Sequence, residues 1–226
     1  MTHPIQLQGQ SFQMHFSGAL FWVEKSMLLI SDVHLGKISH FRKYGAAVPQ
    51  NAVQQNFEAM TMAIEFFKPT KVVFLGDLFH SSLNKEWELF ENWVNTITSE
   101  MILVSGNHDI ISPLKYEDIH ITVISELVLD SFLLTHHPEE RDGFFNFSGH
   151  IHPAIKLSGL GRQSVRLPCF YKTESQMILP AFGEFTGTYT LEPCDGCEVF
   201  ALLGDAVLPV PIKEVKKKHS FRKKSI

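Results

Sequence analysis

The sequence predicts an α/β protein in which two mixed β-sheets pack face to face and are flanked by helices. In the first half of the chain, short apolar runs alternate with amphipathic helical patterns, which indicates a sheet with crossover connections. After about residue 140, short strand patterns separated by turn signals indicate a second, meandering sheet. Hydrophobic residues make up 44% and charged residues 19% of the 226 residues, so the chain can bury a core and is not disordered.

Four apolar runs rich in strand-forming residues predict buried strands, at 27–30, 71–75, 101–104 and 132–134. Two segments carry apolar residues at close to helical spacing and predict helices, at 50–67 and 85–98. Asn84 precedes the second segment and is a suitable N-cap, because its side-chain oxygen can accept from a free N–H of the first turn. These elements alternate along the chain as a crossover fold requires.

The second half of the chain predicts shorter strands, at 164–171, 176–181, 187–192 and 197–203. Three N-terminal pieces, around 5–8, 12–16 and 20–24, predict hairpins that can join either sheet. Length and the absence of a Pro-, Gly- or Ser-rich linker predict a single domain over residues 1–212.

The net charge of −4 hides a basic C-terminal tail, residues 213–226, which holds seven Lys and Arg and one acid. The tail carries a charge near +6 and the rest of the chain near −10. One interpretation is a flexible, solubilising end, as is usual for charge runs. The other is non-specific binding to the backbone of a nucleic acid, which the acidic body would otherwise repel.

Composition excludes several classes of protein. No run approaches the roughly 20 apolar residues that span a bilayer, so no membrane partner is expected. Met1–Gln6 lack the basic and apolar segments of a signal peptide. Three cysteines cannot form a disulfide framework, which favours a reducing, cytoplasmic location. Cys194 and Cys197 flank an Asp-Gly turn signal and are interpreted as incidental members of a hairpin.

Polar residues of a few types follow each apolar run in the first half of the chain and one short run near residue 147. Because ligands bind at the carboxyl ends of strands in open α/β sheets, these side chains are expected to converge. They are Asp32, His34, Asp77, Asn107, His108, Asp109, His136, His137, His150 and His152.

Asp oxygens and His nitrogens are borderline ligands that suit Mn, Fe, Zn or Co. Seven of these side chains form the donor set, namely Asp32, His34, Asp77, Asn107, one of His136 and His137, His150 and His152. Seven donors are too many for one tetrahedral ion and enough for two ions that share a ligand. Two carboxylates among the donors would leave two divalent ions with about two positive charges, which attracts a phosphate ester. Taken singly, each residue is better explained as an ordinary loop polar group. Five blocks in this order, each after an apolar run, favour the metal interpretation.

Glycine precedes Asp77, Asn107 and His150. A residue without Cβ allows backbone to approach an ion closely, so these glycines are expected to lie against the site.

The set Asp32-x-His34, Gly76-Asp77, Gly106-Asn107-His108-Asp109, His136 and Gly149-His150-x-His152 resembles the calcineurin-like metallophosphoesterases. A narrower resemblance is carried by residues 34–37, 41–49 and 179–187. There the chain is similar to the ligase-associated DNA damage response endonucleases, the PdeM-type proteins of bacteria. The resemblance covers most of residues 5–192 and implies the four-layer metallophosphoesterase sandwich.

The resemblance implies a role for each position. One metal would be held by Asp32, His34, Asp77 and His152. The other would be held by Asp77, Asn107, His136 and His150, with Asp77 shared. His108 would be the catalytic acid and Asp109 would orient it. His137 is an alternative to His136, because the family often shows a different pattern at this block. Manganese is the usual metal of such enzymes, and Fe or Zn pairs also occur.

The chemistry expected of such a site is in-line hydrolysis of a phosphodiester. A hydroxide bridging the two ions would attack phosphorus, and His108 would protonate the leaving oxygen. Lys37 and Arg42 follow the first ligand block and suit a phosphate clamp, Arg42 through its bidentate fork. His137 is a candidate for contact with a base or sugar. A solvated loop explains Lys37 and Arg42 about equally well.

The function expected is that of a DNA endonuclease in repair, with DNA as substrate. The resemblance adds a ligase, a helicase and a nuclease of the same repair system as partners. The main alternative is a small-molecule phosphatase or phosphodiesterase that uses the same site on nucleotides. A metal-holding interaction module is a third class, and His108 counts against it because a scaffold needs no acid.

Overall fold

The computed structural model describes residues 1–38, 52–80, 82–159, 163–183 and 186–212. Arg42, the whole 41–49 stretch of the resemblance, and the tail 213–226 therefore lie outside the described residues. The sheet prediction is confirmed, because the chain forms one seven-stranded and one nine-stranded mixed sheet.

The first sheet has its strands side by side in chain order. They are β1 (Thr2–Leu7), β2 (Gln10–His15), β3 (Leu20–Trp22), β4 (Met27–Ile30), β5 (Lys71–Leu75), β6 (Glu100–Val104) and β7 (Ile121–Ile124). Strands β1 to β4 pair antiparallel, whereas β4 to β7 pair parallel. The N-terminal hairpins thus join the first sheet. The sequence alone did not determine which of the two sheets they join.

The parallel strands need crossovers, and helices provide them. These are α1 (Ala52–Phe67), α2 (Lys85–Val94) and α3 (Pro113–Glu117). Asn84 caps α2 as expected, since its Oδ1 accepts from the N–H of Glu86 at 2.8 Å. The helix ends four residues before the predicted boundary, because Thr96 and Ile97 bond back by three residues into turns.

The second sheet runs in the order β14, β11, β12, β13, β10, β9, β8, with β15 added to β12 and β16 to β15. Its strands are β8 (Leu127–Leu129), β9 (Phe132–Leu134), β10 (Phe145–Ser148), β11 (Pro153–Ser158), β12 (Ser164–Lys172), β13 (Gln176–Ile178), β14 (Tyr189–Thr190), β15 (Glu198–Leu203) and β16 (Ala206–Val210). The sequence missed β7, β8, β11, β16 and α3, which are short or weakly patterned.

The core lies between the sheets and under the helices. All four residues of β4 are buried, because Met27 and Leu29 join the cluster between the sheets while Leu28 and Ile30 face the helices. A strand buried on both sides gives a continuous apolar run, which is how β4 was predicted. In the described part of the chain all three helices contact the first sheet. No helix there is long and apolar enough to cross a membrane.

Candidate metal centre

The predicted side chains converge at the carboxyl edge of the first sheet, where three parallel strands end side by side. Asp32, Asp77 and Asn107 follow β4, β5 and β6 by two or three residues. In the second sheet, His136 and His150 follow the ends of the neighbouring strands β9 and β10 by two residues. Two sheets therefore supply one pocket from opposite sides.

One group of donors surrounds the carboxylate of Asp32. Its Oδ1 lies 3.1 Å from Nε2 of His152. The same His152 nitrogen lies 3.4 Å from Nε2 of His34. Asp32, His34 and His152 thus bring three ligand atoms within 4.8 Å of one another.

A second group lies on the other side of Asp77. Its Oδ1 is 3.4 Å from Nε2 of His136, which is itself 3.0 Å from Oδ1 of Asn107. Nδ1 of His150 lies 3.2 Å from the same His136 nitrogen. The other oxygen of Asp77, Oδ2, is 3.9 Å from Nε2 of His34 in the first group. Asp77 therefore faces both groups, as a shared ligand must.

Hydrogen bonds fix which ring nitrogen faces the pocket. Nδ1 of His136 donates to the carbonyl of Leu75 at 3.0 Å, and Nδ1 of His152 donates to the carbonyl of Gly187 at 3.0 Å. Each ring then presents its Nε2 lone pair to the pocket, the usual arrangement for metal-binding histidines.

The donor set fits a pair of cations. Nε2 of His136, whose Nδ1 carries the proton, faces Oδ1 of Asn107 at 3.0 Å, and two such lone pairs repel each other unless positive charge lies between them. Oδ1 of Asp32 is buried and accepts no hydrogen bond from any described residue. Burial, followed by the charge of Lys37 and of neighbouring histidines, lowers the pKa of His34 to about 2. The ring is therefore neutral and free to bind a cation.

The backbone of the site is held in an unusual conformation. Five candidate ligands have positive φ, between 51° and 66°, and are Asp32, His34, Asp77, His150 and His152. Residues with a Cβ adopt this region at a cost of roughly 1–3 kcal/mol each. The remaining fold must hold these residues there, which is common at functional sites.

Three glycines, Gly76, Gly106 and Gly149, make room for the ligands, as expected from their positions before Asp77, Asn107 and His150. A Cβ on Gly106 would overlap Oδ1 of Asp77, and one on Gly149 would overlap Oδ2 of Asp32. The third, Gly76, would overlap the ring of His136. Substitution would therefore displace a ligand even where the backbone tolerated it.

His108 lies beside the shared carboxylate. Its backbone N–H donates to Oδ1 of Asp77 at 2.9 Å, and its half-buried ring lies 5.9 Å from that of His34 between ring centres. The ring thus has access both to the pocket and to solvent, as an acid for a leaving group requires.

Asp109 has a different contact from the one expected. Its carboxylate accepts three backbone hydrogen bonds of 2.8–3.0 Å, from Asp77, Phe79 and Gly106. Among the described residues no hydrogen bond joins it to the ring of His108. The contacts of Asp109 in the structure tie together the loops after β5 and β6, and its orientation of His108 stays a prediction. Burial raises the pKa of the Asp109 carboxyl, and the three backbone hydrogen bonds offset only part of that rise.

His80 was missed by the sequence reasoning. Its ring centre lies 4.2 Å from that of His108 and 5.1 Å from that of His34. The available signal was its position three residues after Asp77, in the same loop. Contact with both rings makes His80 part of the wall of the pocket.

His136 and His137 both lie near the second group of donors. His136 is buried and its Nε2 lies 3.4 Å from Oδ1 of Asp77, whereas His137 is exposed. His137 also brings a ring nitrogen within 4.8 Å of those of His136 and His150, so it stays an alternative ligand. The ring of His137 is 4.1 Å from that of His150, so it borders the pocket mouth. Burial, and to a smaller extent the proximity of His137 and His136, lowers the pKa of His150.

Lys37 also borders the pocket. Burial lowers the pKa of its ammonium, while the nearby carboxylates of Asp77 and Asp32 act in the opposite direction. A cation this close to both carboxylates is well placed to meet an anionic ligand of the site.

A fold of two facing sheets with such a donor set at the strand ends defines a metal-dependent phosphoesterase. The family model of calcineurin-like phosphoesterases matches residues 26–180, more than half of the chain. The protein belongs to the calcineurin-like phosphoesterase family.

Among solved structures, the chain is similar to the Pseudomonas putida nuclease MPE, with 27% identity and a TM-score of 0.79. The alignment covers 93% of this chain and 100% of that one. Weaker likenesses are to an Aquifex aeolicus protein of unknown function (17% identity, TM-score 0.42, 56% of this chain and 78% of that one) and to the Escherichia coli phosphoesterase Yfce (14% identity, TM-score 0.40, 83% and 99%). A search among curated proteins finds no match.

Proposed function

We propose that this phosphoesterase is a two-metal DNA endonuclease of DNA repair that hydrolyses phosphodiester bonds, with Mn²⁺ as its metal. The observation that carries the proposal is the placement of Asp77, whose two oxygens face two separate groups of donors. The similar structure of a nuclease, aligned over 93% of this chain, supports a nucleic acid as the substrate.

Asp32, His34, Asp77 and His152 would hold one ion. Asp77, Asn107, His136 and His150 would hold the other. Divalent ions there supply a readily ionised water and stabilise negative charge on the phosphate oxygens. Two carboxylates leave net positive charge in the pocket, which favours binding of the anionic diester.

The remaining chemistry belongs to side chains of this protein. The leaving oxygen of a sugar is a strong base and needs a proton, which His108 is placed to donate. Asp109 holds the backbone around Asp77, and so keeps the shared ligand in position. Lys37 would bind a phosphate oxygen beside the pocket, and His137 would contact the nucleoside at its mouth. Arg42 is proposed for the same phosphate clamp.

In this proposal residues 1–212 form one catalytic domain, and the basic tail 213–226 contacts the DNA backbone. A ligase, a helicase and a nuclease of the same repair system are proposed partners, and the cytoplasm is the proposed location. These points are supported by the family resemblance and by composition.

The test uses purified protein with Mn²⁺ on supercoiled circular DNA, single-stranded DNA and a nitrophenyl phosphodiester. We expect cleavage of DNA as well as of the ester, and loss of all activities together with bound metal in Asp77→Asn. That variant also exposes any contaminating nuclease, because its residual DNA cleavage cannot come from this site. Hydrolysis of nucleotides or small esters without nicking of DNA would instead favour the small-molecule alternative.

A further inference from the structure

Two cations stand directly opposite each other on the hairpin that leaves the metal centre. Lys156 on β11 pairs with Arg166 on β12 in the antiparallel register, so their side chains share one face of the sheet. Both are exposed. Like charges at directly opposite positions destabilise a sheet, by roughly 0.2–1 kcal/mol relative to neutral pairs.

The surroundings do not offset this repulsion. Neither cation forms an ion pair with a carboxylate of the described residues, although the chain holds 24 acids. The neighbouring cross-strand pairs on this face are small and uncharged, Ala154 with Pro168 on one side and Ser158 with Ser164 on the other. The two charges are thus open to a ligand from solution.

Arg166 is tied to the margin of the metal centre. Its Nη1 donates to the carbonyl of Thr188 at 3.5 Å, a long bond that crosses β11. The carbonyl of the preceding residue, Gly187, accepts the Nδ1–H of His152 at 3.0 Å. Because adjacent Cα atoms are 3.8 Å apart, these links place the guanidinium within about 12 Å of that ring.

Lys156, opposite Arg166, also lies within a short distance of the metal centre. It follows His152 by four residues of chain that enters β11, a distance of at most about 13 Å along an extended strand. Phosphates of one nucleic-acid strand recur every 3.4 Å or more, so this span covers up to about four nucleotides. A small ester in the pocket cannot reach it.

We propose that Lys156 and Arg166 form a second contact for the nucleic-acid backbone, binding phosphates a few nucleotides from the one being cleaved. The inference rests on the proposed function, and it deepens that function by naming the surface that selects a polymer over a small ester. Arg166 provides a planar fork for phosphate oxygens, and Lys156 adds a point charge. The contact is sequence-independent, since it reads phosphate alone.

The test compares Lys156→Gln, Arg166→Gln and the double variant with Lys68→Gln. Lys68 is a matched control because it is exposed and forms no ion pair with a described residue. It follows α1 and precedes β5, at the edge of the first sheet opposite the metal centre. Each protein is assayed with Mn²⁺ on a fluorescein-labelled oligodeoxythymidylate at several KCl concentrations, and on a nitrophenyl phosphodiester.

For the double variant we expect kcat/KM on the oligonucleotide to fall about tenfold, mainly through KM. The slope of log kcat/KM against log salt should flatten by about 0.7 for each cation removed. Hydrolysis of the nitrophenyl ester should change far less, and Lys68→Gln should match the wild type on both substrates.

Three outcomes overturn the inference in distinguishable ways. If the wild type cleaves the oligonucleotide and the double variant has the same KM and salt slope, the hairpin contact is wrong while the proposed function stands. If the wild type hydrolyses the ester but never the oligonucleotide, both fail. An equal loss on ester and oligonucleotide would show damage to the pocket rather than a lost phosphate contact.

Discussion

The carboxylate of Asp109 accepts a hydrogen bond of 2.8 Å from the backbone N–H of Asp77. This bond places a buried acid behind the shared ligand of the metal centre, not behind the histidine that precedes it in sequence. Support of the shared ligand and orientation of His108 are therefore two different roles for Asp109, and the sequence alone does not distinguish them.

Asp109→Asn should weaken metal binding. An amide replaces one of the two oxygens that accept backbone N–H groups, so the loops carrying Asp77 and Asn107 lose part of their support. Loss of a partner behind a metal ligand typically costs about 10–100-fold in affinity or activity. Metal titration should show weaker binding, with parallel losses on DNA and on a nitrophenyl diester. Retained metal affinity with a loss on DNA alone would instead place Asp109 behind His108.

His108→Ala should separate substrates by their leaving groups. A sugar alkoxide needs protonation and nitrophenolate does not, so DNA cleavage should fall by ~10²–10⁴-fold while the ester is affected much less. The measurement is kcat/KM on both substrates at matched metal content. Equal losses on the two substrates would contradict the acid role.

Gly149→Ala should displace a metal ligand without adding a polar group. The new Cβ would overlap Oδ2 of Asp32, which is held by the N–H of His150 at 2.9 Å. We expect loss of bound metal and of activity on every substrate. Gly159→Ala is the matched control, since its Cβ would meet no atom of the described residues closer than 4.0 Å. Normal metal content in Gly149→Ala would mean that the pocket is looser than the structure indicates.

His15 should make stability depend on pH far from the metal centre. Burial lowers the pKa of this ring, which packs against Phe16, Phe66 and Phe67, to about 4. Below its ordinary pKa of 6.5 the unfolded chain gains a proton that the folded ring refuses. The stability that the neutral ring contributes is therefore complete above about pH 6.5 and is lost as pH falls toward 4.

The measurement is urea unfolding of wild type and His15→Phe across this range. Phenylalanine keeps the packing and cannot titrate. Between about pH 7 and pH 5 the wild type should lose about 2 kcal/mol more than the variant. A constant difference in unfolding free energy would show that His15 takes up a proton as readily in the folded as in the unfolded chain.

The sequence was most informative where burial on both faces made a strand continuously apolar. Strand β4 was predicted at its observed bounds, and β5 likewise, because a parallel strand between two layers has no polar face. Strands β11 and β16 were missed. Proline lies in both, and exposed positions interrupt the apolar pattern of each. Each is placed by antiparallel pairing with its neighbour along the chain, β11 with β12 and β16 with β15, rather than by its own pattern.

The sequence by itself determined the set of candidate ligands, because Asp, Asn and His after apolar strands carry their chemistry wherever the chain places them. The family resemblance already implied their division into two groups around Asp77. Only the tertiary structure decided that Asp109 supports the shared carboxylate and that His80 contacts His108. It also set Lys156 opposite Arg166. These relations are distances between residues on different strands and loops, and the pairing and packing of two sheets fix them after each local segment has formed.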